Sequence, residues 1–375
     1  MKKFLVPILC LTLFSCSQVQ KSNVVEEPTL KSALKDNFYI GTALNLDQIQ
    51  GKDTASTNIV KKHFNSIVAE NCMKSMYMQP EEGVFFFDEA DQFVEFGEQN
   101  DMFIIGHCLI WHSQAPSWFF TDARGRDVSR EVLIERMRNH ITTIVSRYKG
   151  RIKGWDVVNE SILEDGSWRE SKFYTIIGED FMQLAFQFAQ AADPDAELYY
   201  NDYNEWHEGK RKAIVNMVKS FQEKGIRIDA IGMQGHFGME YPSLEEYQAT
   251  IDEYTAAGVK VMVTELDMSA LPRPRHNVGA NIADVDAYRQ EVDPYTEGLP
   301  ESVMAEWTKR FGEFFTLFLN NQEHITRVTM WGVTDGDSWK NDFPMRGRTD
   351  YPLLFDRNYE AKPLVDEIIQ MAKNY

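Results

Sequence analysis

Residues 154–160 read Gly-Trp-Asp-Val-Val-Asn-Glu, and residues 260–267 read Lys-Val-Met-Val-Thr-Glu-Leu-Asp. Each stretch is a short apolar and β-branched run that ends in a carboxylate, as expected of a buried parallel strand that ends at a site. Similar runs occupy residues 38–43, 65–69, 103–107, 197–200, 230–234 and 327–332. Because longer helical periodicities alternate with these runs, we predict an α/β fold, a single (β/α)8 TIM barrel. An open doubly wound sheet is the alternative, but no Gly-rich nucleotide-binding turn follows the first strand.

The helical periodicities predict helices over residues 130–148, 172–192, 210–224, 244–257, 303–320 and 362–373. A long loop, Ser269–Pro300, follows the seventh strand and exceeds the usual length of a connection. We favour packing of this loop over the barrel rim. The alternative is that it binds acidic groups by pairing with its arginines; the loop carries Arg273, Arg275, His276, Tyr288 and Arg289.

Composition and charge narrow the classes of partner. The 375 residues carry 39 Lys and Arg against 57 Asp and Glu, a formal charge of −18. Since there is no basic run, we expect no nucleic-acid partner. The four cysteines lack the paired spacing of a disulfide scaffold or a zinc ribbon. His107 and His112 have no third ligand at a suitable spacing, so we expect no metal site.

The N-terminal residues resemble a targeting signal. Lys2 and Lys3 precede a short apolar stretch, which is too short to span a bilayer and is typical of export. Its Leu-Phe-Ser-Cys ending resembles a bacterial lipobox, which implies lipidation of Cys16; an ordinary secretory signal with an incidental cysteine is the alternative. We therefore expect a signal peptide over residues 1–15 and a tether over 16–36. The protein would be exported and lipid-anchored to the cell envelope, at the outer membrane or cell surface if the organism is Gram-negative.

Polar and aromatic side chains recur where the predicted strands end, and side chains at these positions line the site of a barrel. Glu160 and Glu265 directly follow apolar strands, so each carboxylate is expected on a rigid element at the barrel mouth. Two opposed carboxylates are what cleavage of a glycosidic bond requires. Trp111, Trp331 and Trp339 offer flat apolar faces for sugar rings, although core packing explains each one taken alone.

Several of these strand ends together resemble glycoside hydrolase family 10, the retaining endo-β-1,4-xylanases. The motifs are WDVVNE at 155–160, TELD at 264–267, Gly106-His107, WHSQ at 111–114, QGH at 234–236 and the stretch from Trp331 to Trp339. They occur in the family's order, and the resemblance covers about residue 30 to the C-terminus. It implies a catalytic domain over residues 37–375 that hydrolyses xylan without a cofactor, binds xylo-oligosaccharides and acts as a monomer.

The resemblance also implies the roles of individual residues. Glu160 would be the acid/base, and Glu265 the nucleophile that forms a covalent glycosyl-enzyme, with the carboxyl groups roughly 5 to 5.5 Å apart. Glu160 would need a raised pKa, which the covalent step would lower by removing a neighbouring charge. Asn159 would bind the sugar 2-hydroxyl, and His236 would hold Glu265 with Asp267 behind it. The implied sugar contacts are Glu70, Asn71, Lys74, His107, Trp111, Gln114, Gln234, Trp331 and Trp339, with Tyr203 and Asn204 on the leaving-group side.

Two other functions stay open at this point. One is a retaining β-1,4-glucanase. The set Glu70, Asn71 and Lys74 favours xylose over glucose as the bound sugar and so speaks against it. The other is a non-catalytic xylan-binding surface lipoprotein, which the presence of both glutamates and their supporting residues makes the weaker hypothesis.

Cys72 and Cys108 directly follow strand-end residues. Because side chains alternate along a strand, both are expected to point away from the site as buried, reduced thiols. A disulfide between them is the alternative, and it requires a geometry that adjacent parallel strands rarely present.

Overall fold

The computed structural model describes Met1, residues 27–272 and residues 291–375. Its central sheet is a closed barrel of parallel strands. Neighbouring barrel strands pair in chain order, and the last barrel strand pairs with the first. The barrel strands are β1 Tyr39–Leu44, β2 Ser66–Ala69, β3 Phe103–Trp111, β4 Gly154–Asn159, β5 Glu197–Asp202, β6 Ala230–Met233, β8 Lys260–Ser269 and β9 Ile325–Met330. A short extra strand, β7 His236–Gly238, pairs with the end of β8. The predicted (β/α)8 barrel is therefore confirmed.

Several strands extend beyond their predicted ends, among them β3 and β8. β3 continues to Trp111 beside β4, and β8 continues to Ser269 because β7 offers it a partner from Asp267 onward. The catalytic candidates Glu265 and Asp267 therefore lie within a paired strand rather than in a loop after it. Their backbone positions are fixed by the sheet on both sides.

Helices surround the barrel. They are α1 Leu30–Ala33, α2 Leu46–Ile49, α3 Thr54–His63, α4 Ser75–Met78, α5 Asp88–Gln99, α6 Arg130–Arg147, α7 Lys172–Ile177, α8 Phe181–Ala192, α9 Glu208–Glu223, α10 Leu244–Ala256, α11 Glu301–Asn320 and α12 Pro363–Met371. The single helix predicted over 172–192 is wrong. Gly178 has a φ of 98° and ends α7, because this backbone conformation is open to glycine and not to a helix.

The folded part begins before the predicted boundary at residue 37. Leu30 and Leu34 are fully buried in the main core, where the short helix α1 packs against α3 and α12. The predicted tether therefore contributes its last residues to the domain. Residues 2–26, which include the predicted signal and Cys16, lie outside the described residues. Within the described ranges, no helix is long and apolar enough to cross a membrane.

The loop after β8 is described only at its two ends, and the basic residues predicted within it lie in 273–290, outside the described residues. Arg348 holds both ends, donating to the carbonyl of Val292 at 2.6 Å and to that of Pro272 at 3.5 Å. The Thr349 amide adds a bond to Asp293 at 2.9 Å. The described ends of the loop are thus packed on the segment that follows β9.

Both cysteines of the described fold are buried free thiols. Burial raises the pKa of Cys72 to about 12, and it raises the pKa of Cys108 well above its ordinary value. Both thiols are therefore protonated at neutral pH and behave as small apolar side chains. The predicted reduced state agrees with this arrangement.

The barrel interior depends on one glycine. Tyr199 of β5 fills the interior together with residues that include Ile105 and Met262. A Cβ atom at Gly154 of β4 would lie 2.1 Å from the Tyr199 hydroxyl oxygen. Because real Cβ contacts never reach that distance, only glycine leaves room for the tyrosine.

We expect Gly154→Ala to lower the free energy of unfolding by about 1–3 kcal/mol, because the added methyl group forces Tyr199 out of its place. Urea denaturation followed by tryptophan fluorescence measures the change. Gly336→Ala is the matched control, since its Cβ would meet nothing closer than 3.4 Å. Equal stability of both variants would contradict this account of the barrel interior.

Candidate active site

A cleft of about 700 Å³ lies where the barrel strands end. All the predicted site residues except Gln114 and Asp267 line it. Asp267 lies directly behind His236, at 3.0 Å. Gln114 uses its backbone carbonyl to accept from the Met76 amide at 3.1 Å, and its contact with a sugar stays a prediction. Two other depressions lie between the outer helices and hold none of the predicted residues.

Glu265 is held as an ionised carboxylate. It is 6% exposed, and it accepts a hydrogen bond from the Asn201 amide at 2.8 Å while His236 Nε2 lies 3.4 Å away. Burial alone would raise the pKa of Glu265, but the hydrogen bond from His236 and the charges of His107, His236 and Lys74 bring it below its ordinary value. The side chain is therefore a carboxylate without a proton, as a nucleophile must be.

His236 is the cation that compensates the charges at the centre of the site. Burial would lower its pKa, but the carboxylates of Asp267 and Glu265 raise the pKa of His236 to about 9. Both ring nitrogens are then donors, one toward each carboxylate. Asp267 also accepts from the Trp339 indole at 2.8 Å and lies 3.2 Å from the Lys340 ammonium group. Burial would raise the pKa of Asp267, but the charges of His236 and Lys340 and the hydrogen bonds from His236 and Trp339 lower it.

Asn201 is a site residue to which the sequence analysis assigned no role. Its amide nitrogen donates to Glu265 and also to Asn159 Oδ1, at 3.0 Å, while its oxygen accepts from the Thr264 hydroxyl at 2.6 Å. Its backbone carbonyl accepts from the Glu160 amide at 2.9 Å. Asn201 lies opposite Asn159 of β4, one residue before the end of β5, and its position near a strand end was the only signal in the sequence.

Glu160 has different surroundings from Glu265. Its carboxyl group accepts from two neutral donors, the Trp111 indole at 2.9 Å and the Gln234 amide at 3.0 Å. The side-chain amide of Asn159 lies 3.4 Å away. The side chain is only partly buried and borders the cleft. A carboxyl group held by neutral donors and open to the cleft is suited to exchange a proton with a bound molecule.

The wall next to Trp111 carries the polar residues predicted to bind the non-reducing sugars. Lys74 donates to Asn71 at 3.0 Å and lies 5.0 Å above the Trp111 ring. Burial raises the pKa of Glu70, against the opposing charge of Lys74. The wall thus presents an ammonium group, an amide and a carboxyl group beside a flat aromatic face, which is the mixture that binds a sugar ring.

His107 and Trp331 close the floor of the cleft. The His107 ring lies 2.9 Å from the buried carboxylate of Asp156, a residue of β4 that the sequence analysis did not assign to the site. Its ring meets Trp331 edge to face, with centroids 5.3 Å apart. Asp156 fixes the orientation of His107, so the imidazole has a defined face toward the cleft.

The opposite side of the cleft contains residues that sequence reasoning did not identify. Phe343 is 58% exposed and packs against Trp339 with centroids 5.3 Å apart. The other lining residues missed are Tyr241, Ser269, Leu271, Pro272, Lys340, Pro344 and Arg348. Except for Ser269, which ends β8, they lie outside the barrel strands, where tertiary packing determines the course of the chain.

The chemistry available here is that of two carboxyl groups in unlike surroundings. Within the described ranges, no group of His, Cys, Asp and Glu side chains is arranged to hold a metal ion. Glu265 is kept ionised by a cation and an amide, and Glu160 is held by neutral donors. Such a pair supplies a nucleophile and a proton donor for cleavage of a glycosidic bond.

Comparison with known proteins gives the same assignment. The model of glycosyl hydrolase family 10 matches residues 29–371. Endo-1,4-beta-xylanase A of Xylanibacter ruminicola is 51% identical over 345 residues, which cover 92% of this chain and 94% of that protein. An endo-1,4-beta-xylanase of Geobacillus stearothermophilus is 39% identical and is covered to 98%, with 92% of this chain aligned.

Solved structures give close matches as well. A GH10 endoxylanase retrieved from a sugarcane soil metagenome superposes with a TM-score of 0.87 at 41% identity, covering 92% of this chain and 99% of that one. A mutant enzyme in complex with xylotriose superposes with a TM-score of 0.82 at 31% identity, with the same coverage.

We expect His236 to make the stability of the protein depend on pH. Its pKa is about 9 in the fold against about 6.5 in an unfolded chain. The stabilisation is therefore complete below about pH 6.5 and is lost as the pH rises through about 9, by on the order of 3 kcal/mol. When urea unfolding is measured across this pH range, the free energy of unfolding should decline less in His236→Asn than in the wild type. The exposed His324→Asn is the control, and identical slopes in wild type and His236→Asn would disprove the assignment.

Proposed function

The chain belongs to glycosyl hydrolase family 10, and from this premise we propose that it is an endo-1,4-β-xylanase. It hydrolyses internal β-1,4-xylosidic bonds of xylan by double displacement through a covalent glycosyl-enzyme, with no cofactor and as a monomer. The observation that carries the proposal is the pair Glu160 and Glu265 in one cleft, where a cation and an amide hold Glu265 and neutral donors hold Glu160.

In the first step, Glu265 attacks the anomeric carbon while Glu160 gives its proton to the leaving glycosidic oxygen. The bond to the leaving sugar breaks, and an ester to Glu265 forms. His236 then has one carboxylate fewer to compensate, and Glu160 now faces a neutral ester. In the second step, Glu160 takes a proton from water, the water oxygen attacks the anomeric carbon, and Glu265 leaves as the carboxylate.

Asn159 is placed to serve both steps. Its oxygen is occupied by the amides of Asn201 and Gln234, at 3.0 and 3.4 Å. Its amide nitrogen therefore faces Glu160 and the cleft. A donor in this position can bind the 2-hydroxyl of the reacting sugar, where the contact strengthens as positive charge develops at the anomeric carbon.

Xylan is the proposed substrate because the similar proteins are named endo-1,4-beta-xylanases and one was solved with xylotriose. The wall formed by Glu70, Asn71 and Lys74 supports the same choice, since it brings charged groups close to the sugar ring. A β-1,4-glucanase and a non-catalytic xylan-binding protein are the competing functions that the assays below distinguish.

We expect Glu265→Ala to lose turnover on xylan, because no group remains to form the glycosyl-enzyme. Glu160→Ala should fall by about 10²–10⁴-fold on xylan but retain kcat/KM on an aryl xylobioside whose leaving group needs no proton. Glu223→Ala, an exposed helix residue, is the control and should match the wild type. Normal xylan hydrolysis by Glu265→Ala would refute the assignment.

Proton NMR of the products distinguishes the remaining alternatives. Retention predicts that the β-anomer of the new reducing end appears first, whereas its α-anomer would contradict double displacement. Reducing-sugar release from xylan but not from cellulose supports a xylanase, and the reverse supports a glucanase. Binding of xylan without any release of reducing ends would support the non-catalytic function.

We also propose that the protein is exported and held at the cell envelope by a lipid on Cys16, a residue outside the described ones. The apolar stretch and the lipobox-like ending at residues 13–16 support this. In a bacterial host labelled with an alkyne analogue of palmitate, the full chain should incorporate label and partition into Triton X-114, whereas Cys16→Ser should do neither. Cys10→Ser is the control. Label incorporation by Cys16→Ser would exclude lipidation at this residue.

A further inference from the structure

We propose that Arg169 is a positioning residue for the acid/base step, because it joins the backbone of Glu160 to the hydroxyl group of Tyr203. The inference rests on the proposed glycoside hydrolase function. It adds a residue that does not itself line the cleft, so Arg169 acts through the two residues it holds.

The backbone of Glu160 needs such support. Its φ is 57°, in the left-handed region that non-glycine residues rarely adopt. This conformation turns the chain at the end of β4 and directs the carboxyl group toward Trp111 and Gln234. A residue in this region persists only where its surroundings fix it. The neighbouring strand fixes the amide, through the Asn201 carbonyl at 2.9 Å.

Arg169 fixes the other half of the same residue. Its Nε donates to the carbonyl oxygen of Glu160 at 2.8 Å, and its own amide donates to the Ser161 carbonyl at 2.9 Å. Between Ser161 and Arg169 the chain forms a loop, within which Ile162 and Trp168 pair as an antiparallel bridge. The turn that carries Glu160 is therefore closed by Arg169.

The second branch of the guanidinium group reaches the cleft wall. Its Nη2 donates to the Tyr203 hydroxyl at 2.8 Å. Lys210 also holds Tyr203. Its ammonium group lies 4.3 Å from the centroid of the Tyr203 ring and donates a hydrogen bond to the Tyr203 carbonyl at 2.8 Å. The buried carboxylate of Asp202 accepts from the Tyr203 amide at 2.8 Å. Tyr203 is thus fixed in position, and the planar guanidinium group of Arg169 sets its distance from Glu160.

Planarity is what makes arginine suited to this place. Its Nε and Nη2 donors lie in a rigid fork, so two acceptors are held at a fixed separation. The nearby His112 adds no competing charge, because burial and then the charge of Arg169 lower the pKa of His112 to about 4. If the leaving sugar binds against Tyr203, the fork sets where its oxygen meets the proton of Glu160. Small errors in such a placement cost rate steeply.

The test compares substrates that need the proton with one that does not. We expect Arg169→Ala to lower kcat/KM for phenyl β-xylobioside by about 10–10²-fold, mainly through kcat. For 2,4-dinitrophenyl β-xylobioside, whose leaving group departs as an anion, kcat/KM should change by less than about threefold. Arg211→Ala is the matched control, since Arg211 is also half-buried and donates to a carboxylate and a backbone carbonyl outside the cleft.

The outcomes separate the inference from the function it rests on. Equal losses on both substrates would mean that Arg169 is only structural, and would overturn the proposal. Wild-type protein that cleaves neither substrate would refute the proposed function instead. If Arg169→Ala no longer unfolds cooperatively, Arg169→Lys decides, because it keeps the charge without the fork. Arg169→Lys should lower kcat/KM more for phenyl β-xylobioside than for 2,4-dinitrophenyl β-xylobioside, with a smaller difference than Arg169→Ala. Equal losses of kcat/KM on both substrates would again overturn the proposal.

Discussion

Asn201 contacts both of the glutamates proposed to be catalytic, and the geometry of the site depends on this double contact. Its side-chain amide binds the carboxylate of Glu265 at 2.8 Å, and its backbone carbonyl binds the amide of Glu160 at 2.9 Å. The backbone contact forms because β5 lies directly beside β4, with Asn201 opposite Asn159. The sheet thus sets the spacing of the two glutamates, and a shift of one strand by one residue would move every side chain on it to the opposite face.

Burial of charge is the second constraint, since an isolated carboxylate in this position would take up a proton. Glu265 and Asp267 are compensated by one imidazolium, that of His236, and by the donors around it. The three residues come from β7 and β8, which are paired only at this end of the barrel. The extra strand therefore has a chemical purpose, because it brings the cation to the carboxylates.

The sequence predicted most of the residues that line the cleft, because these residues follow strands with a clear period. Glu160, Glu265, His236 and Asp267 belong to runs in which strand and motif coincide, and all four lie at the cleft or directly behind it. Asn201 was missed because an asparagine at a strand end has many uses. The opposite wall, with Phe343 and Arg348, was missed because packing between loops determines its course. The break at Gly178 and the burial of Leu30 depend on tertiary contacts that local patterns do not encode.

The position of Arg348 has a consequence for how this enzyme can diversify. One guanidinium group bonds Pro272 and Val292, so the two ends of the inserted segment are held close together whatever lies between them. The entropy of closing a loop grows only slowly with its length. Residues can therefore be added or removed between these two points at small thermodynamic cost, while the strand carrying Glu265 stays in place. Because Arg348 joins its two ends, the segment at this rim of the barrel can change in evolution separately from the two glutamates.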